Sequence, residues 1–342
     1  MADNSKASMP VPSLASTLKD SFQYGSSLRE TIPESRACRT YLLGHPIAQS
    51  LAPLLHNTLF KLHGLPWTYQ LLESTNQEEL LSLLPQDECV GSAVTMPHKV
   101  TFTAQTHDLT SEGREIGAIN TVFIRLSPAG RRRYIGTNTD CIGVREAFAR
   151  HASPEQLLAA QSRPALVVGG GGACRSALYA LHRFMGVGTI YMVNRFKSEV
   201  DAIVDAFSQV AGWTAKIVHV DTCEQALRLP KPYFVVGTVP DYAPATPEEL
   251  LAQKISRTLL SDPSSEKGIV LEMCYFPRIQ TSFYEFAEAA GWQVIPGTVA
   301  MIWQGVAQQV LWSESVMAAD EEVVKQASAT VLDAIERKQA HQ

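Results

Sequence analysis

Ala165-Leu166-Val167-Val168-Gly169-Gly170-Gly171-Gly172-Ala173 is the stretch on which the fold turns. Four apolar residues in a row predict a buried strand, and four glycines end it at once. Residues 173–184 then have the length and apolar content of a helix. Strand, glycine turn and helix in this order suit the pyrophosphate of a dinucleotide. Glycines let the backbone approach phosphate oxygens, and the unpaired N–H groups of a helix start attract negative charge. Gly169, Gly170, Gly171, Gly172 and Ala173 are therefore candidate cofactor-binding residues. The spacing departs from G-x-G-x-x-G, because the last position falls on Cys174 counted from Gly169 and on Arg175 counted from Gly170. A glycine run alone also makes a tight turn. The strand and helix on either side give it the second meaning.

Downstream, strands are expected over 189–193, 216–220, 233–236 and 269–274, with a helix over 198–210. This is an open, parallel, Rossmann-like sheet. Its second strand ends in Asn194-Arg195-Phe196-Lys197, with no acid before Glu199. An NAD site usually places an acid there for the ribose hydroxyls, whereas a guanidinium pairs with a 2′-phosphate. Arg195, helped by Lys197, makes NADP the expected nucleotide, with NAD as the alternative. An arginine after a strand is also ordinary on a solvated loop.

Upstream, a strand at 41–43 is stopped by Gly44-His45-Pro46, and a helix from Ser50 carries Leu54, Leu55, Thr58, Leu59 and Leu62 at helical spacing. A strand over 68–72, a helix over 77–84 and a strand over 91–94 complete an α/β unit with a largely parallel sheet. The length of 342 residues predicts two domains with separate cores. The expected divisions are a tail over 1–39, a first domain over 40–152, a second over 160–297, and C-terminal helices over 298–340. The linker region 153–164 carries a helical stretch of its own.

A hydrophobic fraction of 45%, a charged fraction of 18% and a net charge of −5 describe an ordinary globular chain without the clustered basic face that nucleic acid requires. Arg131-Arg132-Arg133 follows Pro128-Ala129-Gly130 and reads as a solvated hairpin tip. Cys38, Cys89, Cys141, Cys174, Cys223 and Cys274 lie far apart without a C-x-x-C pair, so neither zinc nor a disulfide framework is expected. No apolar stretch is long enough to span a bilayer, and the N-terminus lacks the apolar core of a signal peptide. A cytoplasmic protein with no membrane partner is expected.

Three segments of the first domain remain: Gly44-His45-Pro46-Ile47-Ala48-Gln49-Ser50-Leu51-Ala52-Pro53, Val94-Thr95-Met96-Pro97-His98-Lys99 and Gly136-Thr137-Asn138-Thr139-Asp140-Cys141-Ile142-Gly143. Taken singly, Ser50 and Asp140 serve as helix caps and Lys99 as a surface lysine. With Gly117-Ala118-Ile119-Asn120-Thr121, however, these segments resemble the shikimate and quinate dehydrogenase family in order and spacing. The resemblance runs from about Tyr41 to about Trp312. It includes Tyr275-x-Pro277 and Gly297…Met301-x-x-Gln304, and its wording is nearest to the fungal quinate dehydrogenase type.

The resemblance implies a two-domain α/β fold: an N-terminal substrate domain, a Rossmann-like cofactor domain, and C-terminal helices returning to the first domain. It implies hydride transfer between NADP or NAD and a ring hydroxyl of quinate or shikimate, giving 3-dehydroquinate or 3-dehydroshikimate. Lys99 would be the acid/base group and Asp140 its partner. Ser50, Thr95, Asn120, Tyr275 and Gln304 would bind substrate, and Asn194, Thr238, Gly297 and Met301 would join the cofactor set. No metal is required. An ammonium near the reacting oxygen stabilises developing negative charge and shuttles the proton, while a carboxylate beside it favours the charged lysine. Departures from the broader pattern are Gln49 for histidine, Ala52 for a second serine, and Phe196 for the acid or threonine found there. The alternative is a catalytically silent relative that binds a pathway metabolite and regulates. Such a binder would not need Lys99, Asp140 and the glycine loop together.

Overall fold

A computed structural model describes residues 13–339. The first half runs α1 (Leu14–Ser21), β1 (Arg39–Gly44), α2 (Ala52–Leu62), β2 (Thr68–Glu73), α3 (Gln77–Leu83), β3 (Cys89–Val94), β4 (Asp108–Leu109), α4 (Ser111–Ile116), β5 (Thr121–Leu126), β6 (Arg132–Thr137), α5 (Asp140–His151) and α6 (Pro154–Ser162). Its sheet has the order β2-β1-β3-β5-β6-β4. β1 pairs parallel with β2 and β3, but β5 pairs antiparallel with both β3 and β6. The sheet is therefore mixed rather than largely parallel. The cause is the turn at Pro128-Ala129-Gly130, where Gly130 has φ 70°, which makes β5 and β6 a hairpin. Of the three arginines beyond that turn only Arg131 is exposed; Arg132 donates to the Cys89 carbonyl and Arg133 to that of Tyr24.

The second half runs β7 (Ala165–Val168), α7 (Gly172–Tyr179), β8 (Thr189–Val193), α8 (Lys197–Ser208), β9 (Lys216–His219), α9 (Cys223–Arg228), β10 (Phe234–Gly237), α10 (Pro247–Leu260), β11 (Ile269–Glu272), α11 (Ser282–Ala289), β12 (Gln293–Pro296), α12 (Gly297–Ser313) and α13 (Glu321–Gln339). Its six strands are all parallel in the order β12-β11-β10-β7-β8-β9. That order reverses direction between β7 and β10, the crevice where doubly wound sheets bind ligands. The glycine run leaves β7 into this crevice.

Residues 13–38, expected as part of a tail, are built into the fold. Ser13 caps α1 by accepting from the Ser16 N–H, and α1 packs on α12. Ser26 and Leu126 exchange backbone hydrogen bonds of 2.9 Å. The Glu314 carboxylate accepts from the Leu28 and Arg29 N–H groups and from Arg125, whose guanidinium is 1% exposed. Removing one partner of such a buried pair typically costs about 3–5 kcal/mol. The expected tail over residues 1–12 lies outside the described residues.

α12 and α13 leave the second sheet and pack on the first half: α12 against α5, α2 and α1, and α13 against α2. Close approach explains two glycines here. A Cβ on Gly91 would lie 2.3 Å from the Trp312 ring, and one on Gly305 would lie 2.6 Å from Leu55. The two sheets do not keep fully separate cores. One apolar cluster runs from Leu55 and Phe148 through Cys174 and Val306 to Phe234 and Leu271. α5 and α12 each present apolar side chains in both directions and so join the halves.

Candidate active site

Val94 ends β3, and the following turn presents Lys99, held by the Ile119 N–H donating to the Lys99 carbonyl at 2.7 Å. His98 beside it is buried and faces inward, its Nε2 2.9 Å from the Ser74 carbonyl, so the next side chain points into the cleft. Asp140 is the first residue of α5, where a carboxylate suits the helix dipole. It does not cap the helix. Its Oδ2 accepts from Lys99 Nζ at 2.5 Å and its Oδ1 from Asn120 Nδ2 at 2.8 Å. The side chains of Lys99 and Asp140 are 21% and 12% exposed, enough for a ligand to reach and too little for water to screen the pair fully.

Asn120 is nearly buried and fully engaged by protein groups. Its Oδ1 accepts from the Thr139 N–H at 2.7 Å and from Thr121 Oγ1 at 2.8 Å, which fixes the amide with Nδ2 toward Asp140 and Gln304. Gln304, on α12, accepts from Asn120 Nδ2 at 3.1 Å and donates to the Met301 carbonyl. Tyr275 follows β11; burial first, and then the Asp140 and Cys274 charges, push its hydroxyl pKa up to about 12, so it stays a neutral donor. Ser50 and Thr95 are half-buried, at the start of α2 and after β3. Ser50 Oγ accepts from the Ala52 N–H as the chain enters the helix, while Pro53 sits in the first turn.

The glycine loop meets this group. A Cβ on Gly172 would lie 3.4 Å from Lys99 Cδ, and one on Gly171 would meet nothing within 4 Å. Gly169 has φ 129°, and a Cβ there would fall 2.1 Å from the Thr238 hydroxyl, which donates to the Val168 carbonyl at 2.7 Å. A side chain at Gly170 would collide with Asn194 and Glu199. No side chain caps the start of α7, which leaves its first N–H groups without a side-chain acceptor. A cradle lined by backbone, closed to side chains and open at a helix start fits a pyrophosphate.

Several expected cofactor residues are engaged otherwise. Arg195 pairs with Glu249 at 2.5 Å and lies 4.9 Å over the Phe196 ring, and Lys197 pairs with Asp201 one helical turn on. Asn194 donates to Glu199 at 2.6 Å. Gly297 serves close packing, since a Cβ would lie 2.3 Å from the Met273 carbonyl. Met301 turns its side chain into the shared core. Sequence reading missed Glu199, whose carboxylate lies over the glycine loop, and Ser176, which donates to Asn138 at 3.1 Å and ties α7 to the Asp140 segment. Among the described residues no His, Cys, Asp and Glu grouping suits a metal, and no helix is long and apolar enough to cross a membrane.

Comparison with known proteins agrees with this geometry. Residues 42–122 match the family model described as the shikimate dehydrogenase substrate binding domain. A quinate dehydrogenase of Emericella nidulans is 39% identical over 323 residues, covering 89% of this chain and 96% of that protein. A pentafunctional AROM polypeptide of Eremothecium gossypii is 33% identical over 84% of this chain, which spans 18% of that longer protein. Among solved structures, the dehydroquinate dehydratase and shikimate dehydrogenase portion of S. pombe AroM superposes with a TM-score of 0.69 at 28% identity, over 87% of this chain and 53% of that one. The shikimate 5-dehydrogenase of Thermus thermophilus, in complex with NADP(H) and shikimate, gives 0.64 at 26% identity, over 85% and 99%. With 39% identity to one member along nearly its whole length, and a shared two-sheet architecture with others, the chain belongs to the shikimate and quinate dehydrogenase family.

Proposed function

We propose that the protein is a nicotinamide-dependent dehydrogenase that oxidises a ring hydroxyl of quinate or shikimate and reduces the corresponding 3-keto acid. The observation that carries this reading is the Lys99–Asp140 pair, at 2.5 Å, set against Gly172 of the nucleotide cradle. The dinucleotide, when bound, accepts or returns the hydride. Gly169, Gly170, Gly171, Gly172 and Ala173 would hold its pyrophosphate, with Thr238 bracing the loop.

Lys99 stabilises the negative charge that develops on the reacting oxygen and takes up or releases its proton at Nζ. Asp140 holds Lys99 Nζ in place, and Asn120 holds Asp140 in place. Tyr275, Ser50, Thr95 and Gln304 present hydroxyl and amide groups for the remaining hydroxyls and the carboxylate of the substrate. Arg195 would reach a 2′-phosphate by exchanging its partner Glu249, a small loss because ion pairs open to solvent, as this one is in part, contribute about 0–1 kcal/mol. This favours NADP, with NAD accepted through the groups common to both nucleotides.

The test is a matrix of quinate and shikimate against NAD and NADP, followed by the near-ultraviolet absorbance of reduced nicotinamide. Substrate-dependent reduction is expected with at least one pairing. Tight substrate binding without turnover in any pairing would replace this reading with the silent, metabolite-binding one.

A further inference from the structure

Behind Asn120, away from the cleft, lies a buried polar strip that the reaction does not itself require. His56, on α2, is fully buried and stacked on Tyr69, with ring centroids 4.4 Å apart. Its Nε2 lies 3.1 Å from Gln308 Oε1 and its Nδ1 3.3 Å from the Gln309 side chain, both glutamines on α12. Gln308 Nε2 donates to Thr121 Oγ1 at 2.9 Å and Thr121 Oγ1 to Asn120 Oδ1 at 2.8 Å. Four polar side chains in sequence, all sealed from water, are costly unless every proton has an acceptor.

The protons can be assigned. Burial pushes the imidazole pKa down to about 4, so His56 is neutral and carries one ring proton. Gln308 Nε2 lies 3.3 Å from the Asn120 carbonyl, which can only accept, and 2.9 Å from Thr121 Oγ1, so this end of the amide is the nitrogen and its oxygen is left for His56. The ring proton therefore sits on Nε2, and Nδ1 is an acceptor. Gln309 Nε2 is buried without a partner, and turning that amide end for end places it on Nδ1. Both ring nitrogens of His56 and both ends of the Gln308 amide then have partners.

We infer that His56, Gln308 and Thr121 form a one-way chain of donors that orients Asn120 and, through it, the Asp140 carboxylate. Each member donates to the next: His56 to Gln308, Gln308 to Thr121, Thr121 to Asn120, and Asn120 to Asp140 at 2.8 Å. Hydrogen bonds aligned in one direction polarise one another, so the last donor is strengthened by those behind it. The chain crosses from α2 to α12 to β5. It makes the placement of Asp140 depend on α12, at a position that supplies no proton to the reaction. His56, Gln308 and Thr121 are positioning residues, an assignment that rests on Lys99 and Asp140 being the reacting pair.

Two measurements on the full chain test the inference. In a histidine-labelled sample, nitrogen NMR should find His56 neutral at neutral pH with its proton on Nε2. Thr121→Val, which keeps the shape and removes the hydroxyl, should lower kcat on the order of tenfold, leaving the nucleotide KM within about twofold. Thr121→Ser restores the hydroxyl and should recover most of that loss. A proton on Nδ1, a Val variant with wild-type kcat, or equal losses in the Val and Ser variants would overturn the relay. Wild-type protein inactive in every pairing would instead overturn the dehydrogenase reading, while the NMR assignment would still judge the proton order.

Discussion

Replacing Asp140 by asparagine preserves the side-chain shape and removes one charge from the centre of the site. In the native arrangement one carboxylate oxygen accepts from Lys99 Nζ at 2.5 Å and the other from Asn120 Nδ2 at 2.8 Å. Asparagine can meet only one of these donors with its oxygen. Its NH₂ then faces the other, and against Lys99 it leaves an ammonium that is 21% exposed with a donor beside it. Breaking a fully buried pair costs about 3–5 kcal/mol; residual solvent access at both groups brings the expected folding loss to about 1–3 kcal/mol. Catalysis should suffer more, because the lysine loses both its anchor and its counter-charge. A fall in kcat of about a hundredfold to a thousandfold corresponds to about 2.7–4 kcal/mol of lost transition-state stabilisation. Steady-state kinetics in both directions, with nucleotide affinity and Tm measured on the same preparation, give the necessary comparison. The reasoning fails if Asp140→Asn turns over at the wild-type rate, or if Tm collapses while kcat survives in the folded fraction.

Lys99→Ala should lower kcat about a hundredfold or more while leaving dinucleotide affinity close to wild type; an unchanged kcat in folded protein would remove Lys99 from the chemistry. Arg195→Ala should weaken NADP on the order of tenfold and leave NAD nearly unchanged, and Phe196→Asp should turn preference toward NAD by repelling the 2′-phosphate; equal effects on both nucleotides would refute the role of Arg195. Glu272 lies at the end of β11, and burial raises its carboxyl pKa from the usual 4.5 to about 8. The folded state then holds a proton that the unfolded chain has released. Stability from this group is complete below about pH 4.5 and declines as pH rises toward about 8. Glu272→Gln should flatten the fall of Tm over that window, and an unaltered slope would show that the carboxyl is ionised in the fold.

The second sheet was legible because its signals are local: apolar runs of strand length, a glycine turn, and helices of ordinary length between them. The antiparallel hairpin was legible in part. Pro128-Ala129-Gly130 marked the turn, but the pairing of β5 with β3 depends on where a distant strand lies. Residues 13–38 carry no clear period, because they are held by partners far along the chain, Leu126 and Glu314, rather than by a face of their own. The same limit hid the polar strip behind Asn120, since His56 and Gln308 are separated by 252 positions and neither has a motif that announces the other. Lys99, Asp140 and Asn120 were readable only as members of a set; alone, each has an ordinary structural use. Arg195 was noticed for its charge, but its partner Glu249 lies beyond β10, where no spacing rule would look.

The apolar cluster shared by both sheets bears on modularity. Cys174, in the first turn of α7, and Val306, on the returning helix, belong to the same packed body as Leu55 of the first half. Interiors packed at near-crystalline density transmit a change in volume to their neighbours, so neither half has a surface at which it can be cleanly detached. The two halves are expected to melt together in one transition, and a nucleotide-binding half taken from a relative would arrive with the wrong side chains for α5 and α12. Single substitutions after β8, such as those at Arg195 and Phe196, leave this seam untouched, whereas exchanging whole segments would require rebuilding it along with them.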